Sequence, residues 1–563
     1  MSFTGAITGS GPLTLRYGGS SANTSSVLLA PASTSSYNGT ITVATANGRG
    51  RAQFNANSLD GIAAGGVTVP AGTAFTMDTL AALTANIGKF TTNANSILAY
   101  DNFVGNSVNL NTLGSDVRIG NSGTVTVAAA VTLTPFGSTY NFSPGGNFVV
   151  NTTNWLSGAN NLDVRAGAIA PGAYGVANPG ANSLALGGTG QTYTGTTTVS
   201  GIINNSLMGT GTTGTNLHIT GDVSAAGATS VTRGGAIRLL GAAGKLSGTS
   251  GITVQGGGIF VNGDTTAANN NSVSNRISTA ATLTLGGTDG GGTFTMAYAA
   301  SGVHAQTFGA LTIGPGANTI NNVNTAAGTA TLTFTNPAIV NNGGLLNIAS
   351  TFTNSVFALG GAPTLTTGNT FGGGLTVNLQ SVAGNPGDFM TVNGSNQIVA
   401  VGSAGALGVY TTQTNTTFDD TSFTNATNLN LDGNTPAFNK TLSGSKTINS
   451  LRTFASANFN NITLTIPTSA ILTVASGGII GTGHVGSNAG IQGSVTIAGA
   501  GTLSSGTSDM YLYGPIQTTG NPLTISASIN VNSGNGALFV RSGVARLSGT
   551  ANSFGISLSS APR

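Results

Sequence analysis

Glutamate is absent from this chain of 563 residues, and charged residues of all kinds make up only 5% of it. An ordinary soluble domain carries about a quarter charged residues. The 13 acidic residues are therefore all aspartate, against 16 Lys and Arg, which gives a net charge of +3. The densest basic segment is Arg49-Gly50-Arg51. Because phosphate binding relies on several Lys or Arg contacts, we expect no nucleic-acid partner.

Cysteine is also absent, so disulfides and thiolate metal sites are excluded. No apolar stretch approaches the ~20 residues that a membrane-spanning helix needs. Residues 1–5 have neither the basic region nor the apolar run of a signal peptide. We therefore expect no transmembrane segment and no signal or anchor here. Either the chain is cytosolic, or it is the mature or excised part of a longer exported protein.

Glycine, in contrast, occurs 88 times, and 39% of the residues are hydrophobic, with a mean hydropathy of +0.20. Disordered chains combine low hydrophobicity with high net charge. This chain has neither property, so it can bury a substantial core.

Short segments with a period of two recur along the whole chain, with Ile, Leu, Val or Phe on one face and mostly Thr on the other. This pattern is typical of half-buried β-strands. Clusters of Gly and Asn separate them, as at 256–258 and 269–271, and supply turn conformations. The clearest predicted strands are 40–43, 124–127, 252–254, 282–285, 331–334 and 463–466.

Two all-β architectures accommodate many short strands: separate β-sandwiches, or one β-solenoid of stacked coils. Aromatic residues are only 6%, Trp155 is the single tryptophan, and no charged or Pro-rich linker divides the chain. Turns at intervals of roughly 20–30 residues favour the solenoid. Helical periodicity is nearly absent, and residues 79–83 are the best candidate for a short helical turn, with a strand as the alternative. We predict irregular solenoid coils over 1–410, a polar turn-rich junction over 411–435, and a further solenoid over 436–563.

Two stretches resemble the autotransporter-associated β-strand repeat of bacterial passenger domains and large surface proteins. The first runs from residue 184 to 199, with Gln191 where Asn is usual in the family. The second runs from residue 547 to 555 and lacks one residue before its last glycine. Segments 442–451, 472–478 and 523–525 also resemble the family. The matching positions, expected to be structural, are Leu186, Gly188, Tyr193, Gly195 and Val199 in the first stretch, and Leu547, Gly549, Asn552, Phe554 and Gly555 in the second.

The resemblance implies an exported protein folded as an elongated, right-handed parallel β-helix, with apolar residues inside and Asn side chains forming ladders between coils. This chain lacks the run of amphipathic strands that would form a C-terminal membrane barrel. We therefore do not expect it to secrete itself.

No arrangement of residues predicts catalysis, a cofactor or a metal site. Asp419-Asp420 is the only adjacent acidic pair, and neighbours on a strand point to opposite faces, so we expect it to cap or decorate a turn. Asp116 with Arg118 and Asp163 with Arg165 share strand faces, and we expect them to form surface ion pairs. The three histidines, at 218, 304 and 484, are too scattered for a metal site, and we expect them at turns or on the surface.

Thr-x-Thr pairs on a flat solenoid face can order water, which makes ice binding a rival interpretation. The pairs begin at residues 196, 282, 293 and 364, with irregular spacing. Because Thr commonly occupies the outward face of strands, we regard them as structural unless equal coil spacing aligns them.

These observations predict a structural extracellular or cell-surface protein that assembles head-to-tail into a filament or surface layer. Few charges weaken repulsion between copies, and terminal coils expose strand edges. The expected partners are further copies of the chain, with surface glycans or a host or biofilm matrix as additional ones. The alternative is a monomeric adhesin stalk or passenger domain, and a polysaccharide-active β-helix enzyme comes third.

Overall fold

The structure is a computed structural model, and it is nearly all β, with 50% of residues in strands and 5% in helices. The long parallel sheets confirm the predicted parallel β-helix. The described residues are 1–17, 25–45, 50–93, 95–103, 105–113, 117–121, 123–127, 131–165, 183–188, 190–201, 216–224, 227–264, 274–298, 303–324, 329–350, 355–377, 387–433, 437–454, 461–481, 494–514, 522–534, 536–541, 545–554 and 558–560.

The chain forms two compact units. The first comprises Met1–Thr284, Gly292–Gly309 and Asn324–Gly328. The second comprises Leu285–Gly291, Ala310–Val323 and Thr329–Arg563. The polar segment 411–435, predicted as a junction, lies within the second unit.

The described residues of the first unit form thirty strands, most of them two to six residues long. They are β1 (Ser2–Phe3), β2 (Thr8–Gly9), β3 (Leu13–Tyr17), β4 (Ser25–Leu29), β5 (Ser36–Tyr37), β6 (Ile41–Thr45), β7 (Gly50–Phe54), β8 (Val67–Val69), β9 (Ala74–Met77), β10 (Phe90–Thr92), β11 (Ile97–Ala99), β12 (Val108–Asn109), β13 (Arg118–Gly120), β14 (Val125–Val127), β15 (Leu133–Thr134), β16 (Thr139–Phe142), β17 (Asn147–Val150), β18 (Ser157–Gly158), β19 (Asn161–Arg165), β20 (Ser183–Leu186), β21 (Thr192–Tyr193), β22 (Thr197–Ser200), β23 (Asn216–Ile219), β24 (Thr229–Thr232), β25 (Ala236–Leu239), β26 (Gly251–Val254), β27 (Ile259–Asp264), β28 (Thr282–Leu285), β29 (Thr293–Tyr298) and β30 (Val303–Phe308).

Strands from successive coils lie side by side in this unit. The longest sheet follows the order β1-β4-β7-β9-β11-β13-β16-β19-β22-β24-β26-β28, a second follows β14-β17-β20-β23-β25-β27-β29, and a third contains β3, β6, β8 and β10. Neighbours such as β4 and β7, or β16 and β19, pair in parallel. One coil takes about two dozen residues: the Thr76 hydroxyl donates to the carbonyl of Ala99, 23 residues later.

Helical structure is brief. The helix α1 (Leu80–Asn86) begins where residues 79–83 predicted a helical turn, so the helical interpretation is confirmed over the strand. The Thr79 hydroxyl accepts from the backbone N–H of Ala82 at 3.1 Å, which caps the first turn, and Leu83 is buried. Single 3₁₀ turns occur at Ala56–Leu59, Ile87–Lys89, Tyr100–Asn102, Leu110–Leu113 and Asn532–Gly534.

The second unit contains the remaining strands. They are β31 (Leu311–Ile313), β32 (Gly316–Asn324), β33 (Thr329–Phe334), β34 (Ile339–Asn341), β35 (Gly344–Ser350), β36 (Ser355–Leu359), β37 (Leu375–Val377), β38 (Asp388–Val392), β39 (Ile398–Ala400), β40 (Tyr410–Gln413), β41 (Asn428–Asp432), β42 (Phe438–Thr441), β43 (Lys446–Ile448), β44 (Ser450–Phe454), β45 (Ile462–Thr465), β46 (Ile471–Val474), β47 (Gly478–Gly481), β48 (Val495–Ala498), β49 (Thr502–Ser504), β50 (Met510–Tyr513), β51 (Leu523–Ile525), β52 (Ser528–Asn530), β53 (Leu538–Arg541), β54 (Ala545–Leu547) and β55 (Leu558–Ser560).

The coils of its C-terminal part are three-sided. The sheets are β40-β41-β44-β47-β50-β53-β55, β42-β45-β48-β51-β54 and β43-β46-β49-β52, and each coil from β42 to β53 adds one strand to each sheet. The period of two in the sequence places Leu464 inside, in register with Ile497, while Thr463 and Thr496 form a column outside. Each buried Leu or Ile of such a stack contributes about 1.5–3 kcal/mol.

Two predictions about polar residues were wrong. Asp163 does pair with Arg165, but Asp163 is buried, and it also binds Arg118, whose side chain is fully buried. Asp116 lies outside the described residues. His218 in β23 and His304 in β30 are buried rather than exposed. His304 occupies an inward position, on the same strand face as Phe308, whereas His218 is buried on the face of β23 opposite the inward Leu217 and Ile219. His484 lies outside the described residues.

Candidate functional site

The strand direction reverses in the second unit at β38. This strand pairs antiparallel with β37 and with β39, unlike the parallel neighbours elsewhere in the unit. A tight turn then reverses the chain again between β38 and β39: the Asn393 side chain accepts from the backbone N–H groups of Ser395 and Gln397, both at 3.0 Å, and Asn396 has φ +58°. The first residue of the reversed strand is Asp388.

Asp388 is an acid held by three donors. Its side chain is buried, and Oδ1 accepts from the backbone N–H of Phe389 at 2.9 Å. The hydroxyl of Tyr410 donates to the same oxygen, and Nη1 of Arg452 donates to Oδ2. The carboxylate therefore joins the antiparallel strand to the neighbouring three-sided coils.

The parallel sheet fixes the positions of Tyr410 and Arg452. Tyr410 begins β40, and Arg452 lies at the centre of β44, with β41 between the two strands. The Arg452 guanidinium lies over the Tyr410 ring, 4.2 Å from its centroid. Its Nε donates to Oδ1 of Asn430 on β41 at 3.1 Å. This cation–π contact and the hydrogen bonds restrict both side chains.

Burial alters the acid–base properties of this cluster. Burial raises the pKa of Asp388 to about 6, and the Arg452 charge and the Tyr410 hydroxyl oppose the rise. Burial, and then the charge of Asp388, raises the pKa of Tyr410 well above its ordinary value. The tyrosine is therefore a neutral hydrogen-bond donor at physiological pH.

The three side chains line an open cavity of about 540 Å³. Most of the remaining wall is apolar or carries a hydroxyl group. The wall consists of Val377, Asp388, Ala400, Val401, Gly402, Ser403, Val409, Tyr410, Thr412 and Arg452. We call the space enclosed by these residues the Asp388 cavity.

Asp388 is the single carboxylate among these lining residues. Glycoside hydrolysis usually requires a pair of carboxylates on either side of the bond. The described wall offers hydrogen-bonding groups and apolar surface to a ligand.

Sequence reasoning missed this cluster. Asn430 and Arg452 are 22 residues apart, which is one coil, and coil spacing could have placed them side by side. Asp388 lies 64 residues before Arg452 and reaches it only because β38 reverses direction. No periodicity in the sequence indicates that reversal.

The acidic pair that the sequence singled out lies elsewhere in the second unit. Asp419 accepts from the N–H and hydroxyl of Thr421 within a turn, and these bonds lower its pKa. Asp420 is buried and accepts from Ser443 on the next coil, 2.7 Å from its backbone nitrogen, with Lys446 at 3.5 Å. The two carboxylates therefore have separate structural partners.

The first coil presents a second candidate surface, formed by strand edges. Each of β1, β2 and β3 is the outermost strand of its sheet. Because Leu13 donates its N–H to Thr40 of the next coil at 2.8 Å, alternation directs the N–H of Thr14 to the unpaired side. Arg16 is the single charged residue in these strands.

The last described coil presents the opposite edges. β54 and β55 are the outermost strands of two sheets in the second unit. Ser553 extends the sheet of β43, β46, β49 and β52 by a parallel bridge to Asn530 of β52. This coil is therefore also three-sided, with strands running parallel to those of the coil before it.

The first repeat-like stretch combines buried side chains with two glycines at close approaches between coils. Leu186, Tyr193 and Val199 are fully buried. Gly188 has φ +76°, and a Cβ there would lie 2.6 Å from the carbonyl oxygen of Asn151. A Cβ on Gly195 would lie 2.4 Å from Oδ1 of Asn161, so only glycine allows the coils to approach this closely.

Gln191 in this stretch forms the contact between coils that was expected of Asn. Its Oε1 accepts from the backbone N–H of Leu156 at 2.8 Å, and its Nε2 donates to the carbonyl of Thr152 at 2.7 Å. Both partners lie one coil earlier.

The second stretch lies at the end of the second unit. Leu547 and Phe554 are partly buried against the main core, and a Cβ on Gly549 would lie 2.3 Å from the Ala527 carbonyl oxygen. Asn552 accepts from the backbone N–H of Ile529, 23 residues earlier, at 3.1 Å, which is an Asn contact between coils. Gly555 lies outside the described residues.

The Thr-x-Thr pairs on β22 and β29 do not stack on further threonines. Thr198 is in register with Asp163 and Ser230. Thr295 is buried and in register with Val261. The structure therefore gives no aligned array at these two pairs.

Within the described residues, no group of three or more His, Cys, Asp or Glu side chains could hold a metal ion. No helix in the described ranges is long and apolar enough to cross a membrane. Comparison of the chain with protein-family models, curated proteins and solved structures finds no match. The function is therefore inferred from the geometry of the chain itself.

Proposed function

We propose that this protein is a structural component of an extracellular or cell-surface assembly, in which copies stack head-to-tail into a filament or layer. The proposal rests mainly on the strand order of the described residues, in which β1, β2 and β3 are the outermost strands of their sheets and β54 and β55 are the outermost strands of theirs. Both sets belong to three-sided coils with parallel strands.

Parallel pairing makes these edges complementary. Inside each unit, the trailing edge of one coil binds the leading edge of the next coil in the same direction. A second copy can continue that pattern without reversing any strand. An unpaired strand edge can pair with a strand of another chain. When every copy makes the same head-to-tail contact, the result is an open filament.

Low charge supports the same proposal. Charged residues are 5% of the chain, so electrostatic repulsion between copies is weak. Monomeric proteins commonly protect exposed edges with several charged side chains or a covering helix. Arg16 and Arg546 are the charged residues in the described strands of the two terminal coils.

Thr14→Pro tests the proposal at the leading edge. Proline removes the outward N–H of Thr14, and edge strands tolerate proline because the bonds to β6 remain. Thr14→Val is the matched control, because it keeps the N–H. We expect wild type and Thr14→Val to form fibres by electron microscopy and a concentration-dependent series of oligomers by sedimentation velocity, and Thr14→Pro to remain monomeric with an unchanged circular dichroism spectrum.

A wild-type protein that stays monomeric at high concentration would overturn assembly and favour the monomeric stalk. Fibres that form equally well from Thr14→Pro would overturn the edge as the contact.

A further inference from the structure

The Asp388 cavity has no part in the proposed head-to-tail contact, and its wall points to a ligand of its own. We propose that it binds a neutral saccharide, with ring hydroxyls near Asp388 and Arg452 and an apolar sugar face against Val409. This inference is independent of assembly, because Val409 and Asp388 lie on neither terminal coil.

The charges of the wall favour a neutral ligand. Asp388 and Arg452 are joined by a direct ion pair, so the local charge is balanced. A second anion would approach the Asp388 carboxylate, and a cation would approach the Arg452 guanidinium. Either would meet a like charge at short range in a partly desolvated site.

The polar groups of the wall favour hydroxyl groups on the ligand. Three donors reach the Asp388 carboxylate, which can accept about four hydrogen bonds. Ser403 and Thr412 add hydroxyl groups, and Thr412 Oγ1 lies 3.3 Å from its donor, Nδ2 of Asn430. Sugar hydroxyls can both donate and accept, so they can satisfy a wall of this mixed kind.

The apolar part of the wall suits the C–H face of a pyranose. Val377, Ala400 and Val401 line the cavity, and Val409 is exposed by 66% just before Tyr410. Such an exposed valine at the edge of a pocket gains from being covered by a ligand. A purely apolar ligand is disfavoured, because it would leave the buried Asp388–Arg452 pair without water or hydroxyl contacts.

The size and rigidity of the cavity agree with this ligand class. A volume of about 540 Å³ lies within the range of ~300–1,000 Å³ that is usual for small-molecule sites. Tyr410 is held between the Arg452 guanidinium and Gly402, where an added Cβ would lie 3.2 Å from the tyrosine ring. A preformed wall loses little conformational entropy when a ligand binds.

Binding of immobilised neutral oligosaccharides, built from glucose, galactose, mannose or N-acetylglucosamine, tests the proposal, with oligogalacturonates of matched length beside them. Two exposed valines provide a matched pair of variants: Val409→Ser in the cavity, and Val303→Ser in the first unit, where the valine is exposed by 64%. Neither change affects a buried side chain, so both variants should fold. We expect at least one neutral oligosaccharide to bind, with an affinity lowered ~5–10-fold by Val409→Ser and unchanged by Val303→Ser.

Asp388→Asn gives a second test, because the amide keeps the shape but removes the charge that accepts sugar hydroxyls. We expect it to weaken binding of the neutral ligand. Preferred binding of oligogalacturonates, no binding to any neutral oligosaccharide, or equal effects of the two valine substitutions would overturn the proposal. Monomeric protein that still binds the sugar would overturn assembly alone.

Discussion

Arg118 donates through Nη2 to Oδ2 of Asp163 at 2.6 Å, and the two residues lie on β13 and β19, with β16 between them. The same guanidinium donates from Nε to Oδ1 of Asn95 at 2.9 Å and from Nη1 to the carbonyl of Phe142 at 3.0 Å. One buried cation therefore ties together four successive coils of a chain that has few charges.

Replacing Arg118 should destabilise the first unit. Arg118→Met leaves the buried Asp163 with only its half-exposed partner Arg165, and removal of one member of a buried pair costs about 3 kcal/mol or more. Arg165→Met is the control, because its side chain is 40% exposed and such pairs contribute less than about 1 kcal/mol. Urea unfolding measures both, and equal losses would contradict a special role for Arg118.

Gln191→Asn should destabilise the protein, although it restores the residue usual in the autotransporter-associated repeat. The shorter side chain cannot reach both Leu156 and Thr152, so at least one backbone group in this buried contact loses its partner, at a cost of about 1–3 kcal/mol. Gln255→Asn, at a half-buried position, is the control. Thermal and urea unfolding measure the stability of both variants. A Gln191→Asn variant as stable as wild type would contradict the stabilising role of the Gln191 contacts.

The stability of the second unit should depend on the ionisation of Asp388. Its pKa is raised from 3.8 to about 6 by burial, so the folded state binds a proton more tightly than the unfolded state. The stabilisation is fully present below pH 3.8 and is lost as the pH rises through 6, with a total of about 3 kcal/mol. Urea unfolding of wild type and Asp388→Asn between pH 4 and 7 measures this difference. Parallel pH profiles of the two proteins would show that Asp388 has no raised pKa.

Gly478→Ala should displace the strand that carries Asp388. An added Cβ would lie 2.4 Å from Cε1 of Phe389, whose ring is fully buried, so the ring must move, at a cost of about 1–3 kcal/mol. Gly394→Ala is the matched control, because a Cβ there meets nothing within 4 Å. Unfolding experiments should give the control a change of no more than ~0.5 kcal/mol. Equal stability of the two variants would contradict the tight packing of Phe389 on Gly478.

The sequence was sufficient to predict individual strands, their inward faces and some of the glycine positions. The alternation in segments such as 463–466 predicted both a strand and its inward face, because side chains in a strand point alternately to its two sides. The glycines at 188 and 195 marked a turn and a close approach between coils, since added Cβ atoms there would collide with backbone or side-chain oxygens of the previous coil.

The sequence by itself determined that the chain would form short strands around an Ile, Leu and Val core, since this follows from a period of two and from glycine-rich turns. Only the tertiary structure decided that His218 would be buried, that Arg118 would reach Asp163 across an intervening strand, and that β38 would reverse to bring Asp388 to Tyr410 and Arg452. These contacts depend on the length of each coil and on which strand lies beside which. Local periodicity specifies neither the coil length nor the neighbouring strand, because a strand has the same inward and outward faces whichever neighbour it pairs with.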